Sequence, residues 1–209
     1  MAITKDFPGA LRGCCGQRDG KRGGRLAYAI ILFFSAHALA GQAPAINQPL
    51  PSMDIKDRGE LLFENDRFFY RPWSTDHNPG KVHIVQYFAA TMKDSEIFAP
   101  FTDRLQDTLE PDSYHVTTII NLDAALWGTT GFAVSEIKAN KREFPLATMV
   151  LDEEGRGAVH WQLGSRGAGL AILDRAGIVN YFTREALSEE EIKTALDLVT
   201  NLVEERTGQ

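Results

Sequence analysis

The sequence predicts an α/β fold with a mixed central sheet, helices on both of its faces and an N-terminal β-hairpin. Three observations carry that reading. Apolar strand-like runs alternate with segments of helical period through the middle of the chain, which implies a parallel portion covered by helices. A pair of turn-flanked aromatic runs precedes them. A second hairpin and a capped amphipathic helix follow them, and these hairpins add antiparallel strands.

Taken in order, Glu60-Leu61-Leu62-Phe63 and Arg67-Phe68-Phe69-Tyr70 flank the polar cluster Glu64-Asn65-Asp66 and read as the first hairpin. Pro72 lacks a ladder donor and is expected to end it. Lys81 to Phe88 is almost continuously apolar, as suits a strand buried on both faces. Ile97, Phe101, Leu105 and Leu109 then recur every four residues and predict a helix from about Asp94 to Leu109. Thr91 and Asp94 supply its cap, and Pro111 lies beyond its end.

Tyr114 to Asn121 is β-branched and strand-like. Phe132 to Phe144 reads as a second helix stopped by Pro145. Leu146 to Leu151 and Gly169 to Leu173 are further strands, each followed by a turn containing Asp and Gly. Ile178 to Phe182 pairs back on the latter as a hairpin. Ser188-Glu189-Glu190-Glu191 is a capping box. The helix it opens presents Ile192, Leu196, Val199 and Val203 as its buried face.

The N-terminus reads as an export signal over residues 1–40. A basic stretch with Lys21, Arg22 and Arg25 precedes an apolar run from Leu26 to Phe34, and Ala38 and Ala40 frame a cleavage site after Ala40. The apolar run is about nine residues, far short of the roughly 20 that a membrane span requires. Residues 41–53, rich in Pro, Ala and Gln, read as a flexible leader, and residues 54–209 as one domain. Localisation in the periplasm follows as the expectation. Cleavage removes Cys14 and Cys15, so the mature chain carries no thiol and no cysteine metal ligand. The full chain has a net charge of −6. Removing the basic signal takes the mature chain to about −10, which disfavours nucleic acid and anionic lipid as partners.

Chemistry-bearing residues are sparse. His77, His83, His115 and His160 are scattered without metal-ligand spacing, so no metal is expected. Gly164 to Gly169 lacks the strand, helix and Lys-Ser/Thr pair of a phosphate loop. Trp73 and Trp161 read as core or rim aromatics. No cofactor is expected.

Several strings nonetheless resemble a known family. Gly80-Lys81-Val82 through Phe88-Ala89-Ala90 is similar to the entry strand of peroxiredoxins and thioredoxin-like domains. Leu151-Asp152-Glu153-Glu154-Gly155 with Trp161, the run Ile172 to Val179, and Ala186 to Glu191 are similar to their later segments. Asp57-Arg58-Gly59-Glu60-Leu61, Thr117-Thr118-Ile119 with Asn121 and Asp123, Trp161-Gln162-Leu163 and Glu185-Ala186-Leu187 more narrowly resemble the YtfJ family of bacterial exported proteins, with Glu185 where that family has Gly.

The resemblance implies a thioredoxin-like three-layer fold. It places Met92 and Ser95 at the two positions where thioredoxins carry their cysteines, so dithiol exchange and peroxidase activity are not expected. It also finds no proline just before Gly169-Leu170, where redox members keep one. In open α/β sheets ligands gather at the carboxyl ends of the strands. Thr91, Lys93, Asn121, Asp123 and Trp127 are therefore the candidate cleft. No residue is assigned a catalytic role, since Ser95 has no base visibly paired with it. The function this supports is a redox-inactive binding module in the periplasm with a protein or small-molecule partner. Alternatives are a thiol-independent enzyme using polar residues near Asp123, and an envelope component with an indirect regulatory role.

Overall fold

A computed structural model describes residues 41–77, 79–125, 128–164 and 167–205. The expected signal segment, with Cys14, Cys15 and Ala40, lies outside them, as does Trp127. The described chain forms β1 (Asp54–Glu64), β2 (Arg67–Ser74), β3 (Val82–Ala89), α1 (Ala99–Thr108), β4 (Tyr114–Asn121), α2 (Thr130–Glu143), β5 (Thr148–Asp152), α3 (Arg156–His160), β6 (Gly169–Leu173), β7 (Val179–Thr183) and α4 (Glu189–Glu204). Seven strands make one mixed sheet in the order β2-β1-β5-β4-β3-β6-β7. β3, β4 and β5 are parallel, and antiparallel pairs flank them on both sides. Among the described residues no helix is long and apolar enough to cross a membrane.

The first hairpin forms because Asn65 and Asp66 both accept positive φ, 49° and 59°. That is the signature of a two-residue turn whose twist matches the strands it joins. Pro72 does not end the hairpin as expected. β2 runs on to Ser74 because it is the outermost strand, where a missing donor faces no partner. Opposite Pro72 the register slips between Ile55 and Glu60. Gly59, with φ +70°, sits in that bulge, where a Cβ would collide with the Arg71 carbonyl oxygen.

β3 is buried along its whole length. Its alternate side chains enter two cores. Ile84 and Phe88 join Phe101 and Leu105 of α1, Ile137 of α2 and Ile192, Ala195 and Val199 of α4. Val85 and Tyr87 join Ile119, Val150, Trp161, Ile55 and Trp73 on the other face.

α1 starts at Ala99 rather than Asp94. A helix through Asp94 would need Pro100 to donate an N–H to the Glu96 carbonyl, and proline has none. Pro100 instead occupies the first turn, where that donor is not required. The Thr91–Asp94 cap forms all the same, with Asp94 N–H donating to Thr91 Oγ1 at 3.1 Å, but it closes an isolated turn. The apolar stripe survives: Phe101 and Leu105 are fully buried, and Ile97 and Leu109 pack against them. α4 keeps its capping box, Ser188 N–H donating to Glu191 Oε2 at 2.8 Å. Its buried face is slightly rotated: Ile192 and Val199 are buried as expected, Ala195 and Leu202 join them, and Leu196 and Val203 lie at the margin.

The segment read as a flexible leader is bonded to the domain. Asn47 N–H donates to the Val179 carbonyl at 2.8 Å, Val179 N–H to the Gln48 carbonyl at 2.9 Å, and Trp161 Nε1–H to the Pro51 carbonyl at 3.1 Å. Polar composition concealed this, because the bonds use the segment's backbone and no pattern of its side chains.

The scattered histidines are not all apart. His83 and His115 are directly opposite in the β3–β4 register, with ring centroids 5.2 Å apart. His83 Nε2 bonds Thr117 Oγ1 at 2.8 Å and His115 Nε2 bonds Thr148 Oγ1 at 2.9 Å. Burial, then repulsion from His115 and His77, pushes the His83 imidazole down to about 3. An unfolded histidine titrates near 6.5. Between those values the unfolded chain takes up a proton that the folded chain refuses. The stability contributed by neutral His83 is therefore complete above pH 6.5 and lost as pH falls toward 3. Urea unfolding measured across that interval will show stability falling with acidification. His83→Gln will flatten the slope, and a slope identical to wild type would show that another group controls it.

Candidate functional site

The parallel strands end together. Ala89, Asn121 and Asp152 are in register across β3, β4 and β5. Backbone bonds carry the ladder one step further, Ala90 N–H to the Asn121 carbonyl and Leu122 N–H to the Asp152 carbonyl, both 2.9 Å. This edge holds the described part of the expected cleft.

Its residues form two groups. The turn after β3 carries Thr91, Met92, Lys93 and Ser95. Thr91 Oγ1–H donates to Asp94 Oδ2 at 2.7 Å. Ser95 Oγ–H donates to the Met92 carbonyl at 3.1 Å, so its proton rests on a backbone oxygen and no base takes it up. Met92 is 87% exposed, and Lys93 and Ser95 are exposed with it. The second group surrounds the end of β4. Asn121 is buried, and its Oδ1 accepts from Ala124 N–H at 3.3 Å. Asp123 is exposed. Both crowd Gly155 after β5, where a Cβ would lie 3.0 Å from Asn121 Oδ1 and 3.3 Å from Asp123 Cβ. α2 begins nearby in the chain and presents Phe132, 64% exposed.

Two concavities lie elsewhere. One of about 580 Å³ is lined by Gly41, Ser52, Met53, Asp54, Glu154 and residues of α3. One of about 160 Å³ is lined by residues of the leader, His83, Leu173 and the β6–β7 turn. Thr91, Lys93, Asn121 and Asp123 line neither.

The best-connected polar residue on the edge was missed. Asp152 is fully buried, and Oδ2 accepts both the Tyr87 hydroxyl at 2.8 Å and Gly157 N–H at 2.8 Å. Its Oδ1 accepts Arg156 N–H at 3.0 Å. The carboxylate thus fastens the first N–H groups of α3, a short helix the sequence reading also missed, to the middle of the sheet. Burial, and then the adjacent Asp152 charge, push the Tyr87 phenol well above its ordinary value. Both side chains are closed to solvent, so the pair positions backbone and is out of reach of a ligand. The signal was present in Asp152-Glu153-Glu154-Gly155 and in a tyrosine within an otherwise apolar strand, which needs a partner for its hydroxyl.

Residues 45–202 match the family described as "Bacterial protein of unknown function (YtfJ_HI0045)". The chain belongs to this family. Its relatives include the "Uncharacterized protein YtfJ" of Escherichia coli strain K12, 32% identical over 157 residues, covering 75% of this chain and 85% of the relative. An "Uncharacterized protein" of Haemophilus influenzae is 30% identical over 158 residues, covering 75% and 86%. Among solved structures, a Chlorobium tepidum protein proposed to be a thiol:disulfide interchange protein DsbE superposes with a TM-score of 0.52 at 12% identity, covering 77% of this chain and 99% of that one. Mycobacterium tuberculosis AhpC superposes at 0.50 with 17% identity, covering 77% and 93%. At those identities the structural likeness establishes the fold: this YtfJ_HI0045 member is an α/β protein of thioredoxin-like architecture.

Removing one partner of the buried pair tests what it holds. Tyr87→Phe leaves Asp152 with two backbone donors and is expected to cost about 1 kcal/mol. Asp152→Ala strips three donors at once and is expected to cost about 3 kcal/mol or more. Denaturant titration reads both, and equal costs would mean that the carboxylate does not secure α3.

Proposed function

We propose that the chain is an exported, redox-inactive thioredoxin-like protein that acts as a binding module in the periplasm. The observation that carries the reading is the state of the turn after β3. Where the resemblance places two cysteines, a freely exposed Met92 and a Ser95 committed to a backbone carbonyl stand instead. A thioether has no acidic proton and forms no disulfide, so electron exchange at this turn has no carrier. The scaffold around it is intact, which fits a protein using the same edge for contact without chemistry.

Met92 and Phe132, exposed in the turn after β3 and at the start of α2, supply apolar contact area, and Thr91, Lys93 and Asp123 supply the polar surround. Exposed apolar groups rimmed by polar ones are the composition of a protein-contact patch. Export rests on the basic stretch, apolar run and Ala38–Ala40 pattern in the sequence.

Fractionation followed by N-terminal sequencing is expected to recover a periplasmic form starting at Gly41, and a cytoplasmic form retaining Cys14 and Cys15 would overturn the export reading. That form is expected to leave insulin disulfides unreduced. A photo-cross-linker at Met92 is expected to trap one discrete partner, lost on Phe132→Asp, while the same probe at Glu204 traps none. Identical products at both positions would defeat the proposed face.

A further inference from the structure

Away from the carboxyl edge, the first hairpin gathers cations that enter no ion pair among the described residues. Arg142 of α2 lies 4.7 Å from the Phe68 ring centroid and 5.4 Å from that of Phe63. Lys138 lies 5.3 Å from Phe68, and Arg67 lies 5.8 Å from Phe69. None of the three enters an ion pair among the described residues. The neighbouring carboxylates of Glu60 and Glu153 are already held, by Arg71 at 2.7 Å and Arg58 at 3.0 Å. Glu64 and Asp66 flank the tip of the hairpin. In a chain of net charge −6 this is a local reversal of sign. Stacking on a ring face orients a cation while leaving its N–H donors free.

The same hairpin ends the sheet, since among the described residues no strand lies beyond β2. In a two-residue hairpin the flanking pair, Glu64 and Arg67, exchanges hydrogen bonds, and pairs alternate from there. Leu62–Phe69 and Glu60–Arg71 then bond inward. Phe68 and Tyr70 turn their N–H and C=O groups outward, and so does Pro72, which has no N–H to offer. Phe69 and Tyr70 are 42% and 39% exposed. The open edge is thus a short template, bounded by the turn at one end and by Pro72 at the other.

We infer that the β2 edge binds an extended acidic segment of a partner polypeptide by strand addition, its backbone pairing with Phe68 and Tyr70 and its carboxylates, on the α2 side of the sheet, reaching Lys138 and Arg142. Backbone pairing supplies affinity without sequence preference, and side chains at alternate positions supply selection. Lys138 and Arg142 choose acidic side chains on that side, and the Phe69 ring on the opposite side receives the apolar ones between them. Three strands separate β2 from β3 in the sheet, so this surface stands apart from the proposed contact face at Met92 and is tested separately from it.

The probe is a fluorescein-labelled dodecapeptide of alternating glutamate and valine, followed by fluorescence anisotropy against the periplasmic form of the protein. It is expected to bind about tenfold or more tightly than the lysine–valine counterpart, to weaken with added salt, and to weaken about tenfold with the Lys138→Ala/Arg142→Ala double variant. Hydrogen exchange at the Phe68 and Tyr70 amides slows in the complex. Tyr70→Pro removes an outward donor at an edge that tolerates proline, so it is expected to abolish binding with far-UV circular dichroism unchanged. Equal affinity for the two peptides overturns the proposal, as does undiminished binding of a peptide N-methylated at alternate residues. Binding to phosphatidylglycerol vesicles without binding to the peptide would assign the cations to lipid, and a dimer broken by Tyr70→Pro would assign the edge to a second copy. Either result also overturns it.

Discussion

A strand buried on both faces tolerates a polar side chain only if it brings a partner, and β3 carries three. His83 reaches Thr117 at 2.8 Å, Gln86 reaches Thr118 at 2.7 Å and Tyr87 reaches Asp152 at 2.8 Å. The first two bonds tie β3 to β4, and the third passes over β4 to the end of β5. Slipping β3 by one residue would turn all three groups to the wrong core and leave each without its partner. Apolar packing alone sets register weakly in so uniform a strand, because Val, Ile and Phe fit either face. The polar bonds decide it, and with it the common ending of Ala89, Asn121 and Asp152 that builds the carboxyl edge.

That constraint divides the edge into parts with different duties. Asp152 is spent inside the protein, where one oxygen takes Tyr87 and Gly157 and the other takes Arg156. Asn121 faces inward and bonds the turn that follows it. What remains at the surface is Asp123 and the turn after β3, where Thr91 Oγ1–H is held by Asp94 Oδ2. A catalytic site of this architecture would need a nucleophile and its base in reach of each other. Here the hydroxyl nearest the expected position gives its proton to a backbone carbonyl. The buried polar atoms of the edge hold structure.

Local pattern made most of this fold legible. Tyr114–Asn121 and Gly169–Leu173 coincide with β4 and β6 because β-branched and apolar runs bounded by turns leave little choice of ends. The capping box of α4 is as readable, being a local bond between Ser188 and Glu191. What pattern missed depended on distance in sequence. The start of α1 is the local exception, turning on one absent donor at Pro100. The length of β2 turned on its place at the edge of the sheet, which only topology reveals. The His83–His115 contact joins residues that no spacing rule connects. The family resemblance placed the turn holding Met92 and Ser95 on the page, yet the buried anchor beside it, Asp152, was visible only as a turn residue. A carboxylate's role depends on what folds over it, and here a five-residue helix does so.

The two margins of the sheet are treated differently, and the difference explains why only one is available. β7 lies at one margin, but the leader crosses it: Asn47 and Gln48 bond Val179, Pro49 bridges to Ile178, and Leu50 N–H reaches the Gly177 carbonyl at 3.3 Å. Its free backbone groups there are satisfied by the chain's own N-terminal stretch. β2 at the opposite margin receives no such cover from the described residues. Proteins blunt an exposed margin with proline, bulges and charge, and β2 has all three, in Pro72, the slip beside Gly59, and Arg67 and Arg71. These devices limit pairing without abolishing it. Pro72 stops a long strand from zipping along the margin, and like charge stops two copies from meeting there. A short strand of opposite charge meets neither obstacle, so the features that guard β2 against aggregation also define what it admits.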